Sequence, residues 1–131
     1  QSNPRVGLRR TSIDSFQVLT NGAGNTFGAG GNSAAEPGTY LITVHLNSTN
    51  SSMKINGLLA GTGSIANHTL ATINLGANFD EGQSIDGYIA ETILYNSSQD
   101  ITKVEGYLAH KWGLQSKLPS SHLYKNSEPT I

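Results

Sequence analysis

Asn56-Gly57 stands between two short apolar runs, Met53–Ile55 and Leu58–Ala60. A two-residue hairpin of type I′ needs positive φ at both central residues, and Asn-Gly is the pair that tolerates it best. The dipeptide therefore predicts a tight antiparallel hairpin. Just before it, Gly38–Asn47 alternates: Tyr40, Ile42, Val44 and Leu46 share one face, while Thr39, Leu41, Thr43 and His45 share the other. Period two over this length marks a strand with a buried face. Asn47–Ser52 is a polar turn, so strand, turn and hairpin follow one another as a meander.

The same pattern recurs elsewhere. Val6–Arg10, Phe16–Thr20 and Ala71–Leu75 read as short strands, and Asn21–Asn32 as turns around at most one short strand at Phe27. Ile85–Tyr95 is the longest apolar alternation, with apolar groups on both faces, and predicts a central strand covered on both sides. One helix is expected over Ser98–Trp112. Ser97 or Ser98 can cap it, Asp100 suits the first turn, and Ile101, Val104, Leu108 and Trp112 form an apolar stripe. Lys111 lies in its last turn and Gly113 supplies the stop. Gly106, in mid-helix, suggests a close approach by a neighbouring backbone. Residues 114–131 form an extended tail, with Leu118, Leu123 and Tyr124 apolar enough to dock. The 131 residues read as one domain.

Composition agrees with an all-β chain. Charged residues are 13%, against about 25% in an ordinary domain, and Gly, Ser, Thr and Asn fill the difference, as many polar turns require. The net charge of -1 argues against nucleic acid, which needs clustered cations. Arg5, Arg9 and Arg10 read as solvated positions. With Cys absent, disulfides, zinc thiolates and thiol nucleophiles are excluded. No run of about 18 apolar residues is present to span a membrane. The chain starts at Gln1 rather than Met, so a processed product or a piece of something longer is expected.

Several motifs resemble laminin-G-like domains of the concanavalin A-like superfamily. They are the Gly38–Gly57 strand and hairpin, Ile73-Asn74-Leu75-Gly76, Asp86-Gly87-Tyr88-Ile89-Ala90-Glu91 and Ile93-Leu94-Tyr95-Asn96. The run Val104–Leu114, followed by Leu118-Pro119-Ser120-Ser121-His122, is similar to the C-terminal signature of a bacterial and marine-phage branch. Leu123 stands where Pro is usual, and the stretch from Asn96 to Glu105 is short by about one helical turn. The resemblance spans residues 38–125. It implies a jelly-roll β-sandwich with one short C-terminal α-helix, with early strands either absent or supplied by residues 1–37 or by a neighbouring chain. It also implies an extracellular, cell-surface or virion setting.

Enzymes of that fold carry a Glu-x-Asp-x-x-Glu strand, and retaining glycosidases hold two carboxyls about 5–5.5 Å apart. No such triplet occurs here; Asp86 and Glu91 fall on opposite faces of any common strand. None of His45, His68, His110 and His122 sits in a zinc motif, and His110 and His122 read as hydrogen-bonded packing elements. Catalysis is not expected. The resemblance does imply a calcium ion at the sandwich rim, for which Asn78, Asp80, Glu81 and Asp86 offer oxygen ligands; the alternative is a solvated acidic loop. Trp112 could stack on a sugar, but its place on the apolar stripe predicts a core position. Two roles remain: a non-catalytic carbohydrate-binding or adhesive module of a larger surface protein, or a structural component of a virion or surface layer. The expected partner is accordingly a glycan or a neighbouring chain in an assembly.

Overall fold

Residues 51–55 alternate between buried Ser51, Met53 and Ile55 and half-buried Ser52 and Lys54, the period-two signature of a strand. In the computed structural model, which describes residues 6–10, 16–20, 26–28, 38–64, 75–77, 84–97 and 99–130, this segment is the middle strand of a meander. Six strands are present among the described residues: β1 (Val6–Arg10), β2 (Phe16–Thr20), β3 (Thr26–Gly28), β4 (Ile42–His45), β5 (Ser51–Ile55) and β6 (Leu58–Gly63). They form two antiparallel sheets, ordered β1-β2-β3 and β4-β5-β6. One helix, α1 (Ile101–Lys111), completes a small β-rich fold.

The hairpin expectation holds. Asn56 has φ 52° and Gly57 φ 78°, so both central residues occupy the left-handed region. The Asn56 side-chain oxygen also accepts from the Leu41 amide (3.0 Å), and the Asn56 backbone N–H donates to the Leu41 carbonyl (2.7 Å). Turn and neighbouring strand are thereby fixed in register. A bulge between Met53 and Lys54, where Met53 pairs with Gly61 but Lys54 with Leu59, adds local twist.

Register sorts the side chains. Ile42 lies opposite Ile55 and Val44 opposite Met53, all on one face. Fully buried Val18 of β2 meets Met53 and Ile55 there, with Phe16, Tyr40 and Ala60 packed around them. Burying a Met or Ile side chain contributes about 1.5–3 kcal/mol. Phe16 and Tyr40 meet edge to face at 5.6 Å. The opposite face carries Thr43, Lys54, His45 and Ser52, and α1 lies over it. Leu41 points the same way and joins Ala109, Leu114 and Leu118 in a second core. Leu46, expected on the first face, is exposed where the strand has ended.

Three further expectations change. Residues 85–95 carry no ladder, although Ile85 donates to the Gly76 carbonyl (2.7 Å) and Ala77 bridges Ser84. A strand needs a partner along its length, and none of the described strands supplies one here; Tyr88 is fully exposed and Leu94 largely so. Second, α1 begins later than expected. Asp100 is itself the N-cap, its Oδ1 accepting the Lys103 amide at 3.2 Å. Ser97 instead accepts from the Gln99 side chain, and Ser98 lies outside the described residues. Third, the buried face of α1 is Glu105, Gly106 and Ala109 rather than the apolar stripe ending at Trp112.

The helix stops as expected. Gly113 has φ 67°, its amide donates to the His110 carbonyl (3.3 Å), and Leu114 donates to the Ala109 carbonyl (2.7 Å), a Schellman closure. The tail then returns along α1. Leu114, Leu118, His122 and Pro129 are buried, whereas Leu123, expected to dock, is exposed. A close approach does occur at Gly106, but by a side chain rather than by a neighbouring backbone: a Cβ there would sit 2.8 Å from Cγ of Tyr124. Among the described residues no helix is long and apolar enough to cross a membrane. The strand expected at 71–75 falls largely on residues outside the described set, with Leu75 itself in a bend.

Candidate functional site

Among the described residues two clusters of polar side chains emerge, one sealed and one open. The sealed cluster centres on Glu105, 1% exposed on the inner face of α1. A buried carboxylate is costly unless it is paired. Lys54 reaches across from β5 and donates to its Oε2 at 3.2 Å. From the tail, His122 points Nε2 at the same oxygen from 3.4 Å. The Tyr124 amide donates to His122 Nδ1 (3.2 Å), so the neutral ring carries its proton on Nε2, facing the carboxylate. Glu105 Oε1 and His122 Nε2 have no hydrogen-bond partner among the described residues. His110 Nε2 donates to the Tyr124 carbonyl at 2.8 Å. His110 thus ties the tail to α1, as its position suggested, whereas the hydrogen bond of His122 lies within the tail.

Beside this cluster lies a cleft of ≈ 140 Å³ lined by Thr43, His45, Ser52, Lys54 and Ile101. Lys54, which lines it, is already engaged by Glu105. With Glu105 and the His122 side chain 1% and 4% exposed, neither presents a reactive atom to a substrate. The trio fastens sheet, helix and tail together.

The open cluster lies at the C-terminal end of α1. The Trp112 indole N–H donates to Glu91 Oε2 at 2.8 Å, and the Lys111 ammonium lies 3.0 Å from each Glu91 oxygen. Lys111 Nζ also sits 5.4 Å from the Tyr107 ring centroid and 6.0 Å from that of Trp112, within cation–π reach. The indole hydrogen bond, then the Lys111 hydrogen bond, hold the Glu91 carboxyl below its ordinary value. Its hydrogen bond to Glu91, with Tyr107 second, holds Lys111 above its own. Trp112 is 44% exposed, which corrects the expectation of a core position. Its polar tip found a carboxylate on a distant segment, and that bond holds the ring at the surface. Glu91 escaped the sequence reading because only its strand parity was weighed; the pairing across 21 residues is set by where the 84–97 segment runs.

Of the calcium candidates, Asn78, Asp80 and Glu81 lie outside the described residues, and Asp86 is exposed. His68 is also outside. Among the described residues no group of three or more His, Asp or Glu is placed to hold a metal. Comparisons with family models, with curated proteins and with solved structures each find no match to this chain.

Proposed function

We propose that the chain is a non-catalytic carbohydrate-binding or adhesive module of a larger bacterial or phage surface protein. In this reading its β-rich body is a concanavalin A-like, laminin-G-like jelly roll. The observation that supports it best is Trp112: a 44% exposed indole held in place by a carboxylate beside an ammonium. Aromatic rings with fixed polar neighbours suit ligands that have an apolar face and a hydroxylated rim. The absence of the carboxylate triplet in the sequence supports a binding rather than hydrolytic role. A rim calcium held by Asn78, Asp80, Glu81 and Asp86 belongs to the same reading. An immobilised-glycan array probed with the whole chain, with and without calcium, tests both points. Selective, saturable binding is expected; an array without signal, or hydrolysis of the bound glycans, would overturn the reading.

A second reading has its own support. Ile85, Tyr88, Ile89, Leu94 and Tyr95 are all exposed within residues 84–97, and apolar surface of this kind marks interfaces. It favours a structural role in a virion or surface layer. Co-sedimentation of the chain with purified particles, together with a blank glycan array, would select it.

A further inference from the structure

We infer that Trp112, Tyr107, Glu91 and Lys111 form one subsite, and that its ligand is an uncharged pyranose ring presenting two neighbouring hydroxyls. This rests on the carbohydrate-binding reading and gives it a place and a ligand class.

Three features of the patch choose the ligand. The first is its charge. Glu91 and Lys111 compensate each other within 3.0 Å, so a cationic ligand meets the ammonium and an anionic one meets the carboxylate. A neutral ligand meets neither penalty. The second is hydrogen-bonding order. A carboxylate offers about four lone-pair sites and an ammonium three donors. The contacts between Glu91, Lys111 and Trp112 use three of the carboxylate's sites and two of the ammonium's donors, and Tyr107 engages the ammonium as well, so the remaining capacity lies on the Glu91 carboxylate and on the Tyr107 hydroxyl. An acceptor and a donor then stand around one amine. A vicinal diol is complementary to such a pair: one hydroxyl donates to the carboxylate while its neighbour accepts from the Tyr107 hydroxyl. The third is the aromatic surface. Tyr107 and Trp112 flank the same amine, and an indole face packs well against the C–H face of a sugar ring.

Preorganisation strengthens the case. The indole N–H bond to Glu91 bridges α1 and the 84–97 segment, so the ring is already ordered before any ligand arrives. Binding then loses little side-chain entropy at Trp112.

The test uses methyl glucoside, galactoside and mannoside and their short oligomers, with uronic-acid and sulfated sugars as charged controls. Titration calorimetry gives affinity, and Trp112, the one Trp of the chain, reports occupancy by fluorescence. The expected result is a neutral saccharide that shifts Trp112 emission. Trp112→Ala and Glu91→Gln should each weaken it roughly tenfold, a loss the size of one aromatic contact or one hydrogen bond. Trp112→Phe, which keeps a ring, should retain more affinity than Trp112→Ala. If Trp112→Ala fails to fold, the emission shift in the unaltered chain and the Glu91→Gln affinity still decide. A saccharide that binds without moving Trp112 emission, or equally well to Glu91→Gln, overturns the subsite and leaves the carbohydrate reading standing. Preference for charged sugars overturns the ligand class. No saccharide binding at all overturns both.

Discussion

Replacing Gly106 by Ala has an unusual expected sign. In an exposed helix interior, Gly→Ala gains about 1 kcal/mol, because Ala restricts the unfolded chain and suits the helix. At Gly106 the added methyl would meet Tyr124, at 2.8 Å from Cγ and 3.0 Å from Cδ2, with Cβ nearer still. Cβ, the nearest of the three, cannot swing aside by rotamer change, because it is fixed by the backbone. That backbone is pinned by His110 at the Tyr124 carbonyl and by His122 at its amide. Overpacking costs typically 1–3 kcal/mol, and a rigid partner places the site at the upper end, about 3. Subtracting the propensity gain leaves a net loss of about 2 kcal/mol. For a chain of this length that lowers the melting temperature by roughly 6–10 °C. Urea denaturation followed by circular dichroism measures it. In a Tyr124→Gly background, where both ring and Cβ are gone, Gly106→Ala should turn stabilising by up to about 1 kcal/mol. A stabilised Gly106→Ala in the otherwise unaltered chain would refute the close packing of the tail on α1.

Lys54→Met removes one charge partner of buried Glu105 and should cost about 3 kcal/mol in urea denaturation, while the double variant Lys54→Met/Glu105→Leu should recover most of it, since the penalty comes from the stranded carboxylate; equal losses in single and double variants would refute this. Glu91 and Lys111 predict how Trp112 responds to pH. The Glu91 carboxyl is held below its ordinary value, so its contribution is complete above the usual carboxylate range and is lost as pH falls through the lowered value. Lys111 is held above its ordinary value, so its contribution is complete below the usual lysine range and is lost as pH rises through the raised one. Trp112 emission should therefore stay level between those limits and change at the acid end; Glu91→Gln should abolish the acid step.

Local chemistry made part of this fold readable. Asn56-Gly57 names its turn because few residue pairs accept two positive φ values, and Gly113 names the helix end for the same reason. Tyr40, Ile42 and Val44 could be assigned to one face because register follows parity. Val6–Arg10, Phe16–Thr20 and the short strand at Phe27 were also visible, since turn residues bound each of them. Residues 85–95 were misread because alternation states what a segment would do inside a ladder, not whether a partner lies beside it. The inner face of α1 was misread because a charged residue and a glycine do not look like core. Glu105 is buried only because Lys54, 51 residues away, neutralises it, and Gly106 only because Tyr124 returns from the tail. Trp112 failed the same way, its surface position depending on Glu91. The misplacements of Glu105, Gly106 and Trp112 each involve a contact between distant segments, which no local pattern encodes.

The Glu105 contacts also bear on how the molecule opens. Hairpin, helix and tail each bring one member of the trio, so no one of them can detach without leaving an ion or a polar ring in an apolar setting. Fluctuations that free the tail alone should therefore be rare, and exchange of the amide hydrogens of β5, α1 and residues 114–125 should proceed with one shared opening free energy. β1, whose ladder runs to β2, has no tie to that carboxylate and is free to open on its own schedule. A single buried acid would then divide the chain into a cooperative block and an independently exchanging sheet edge.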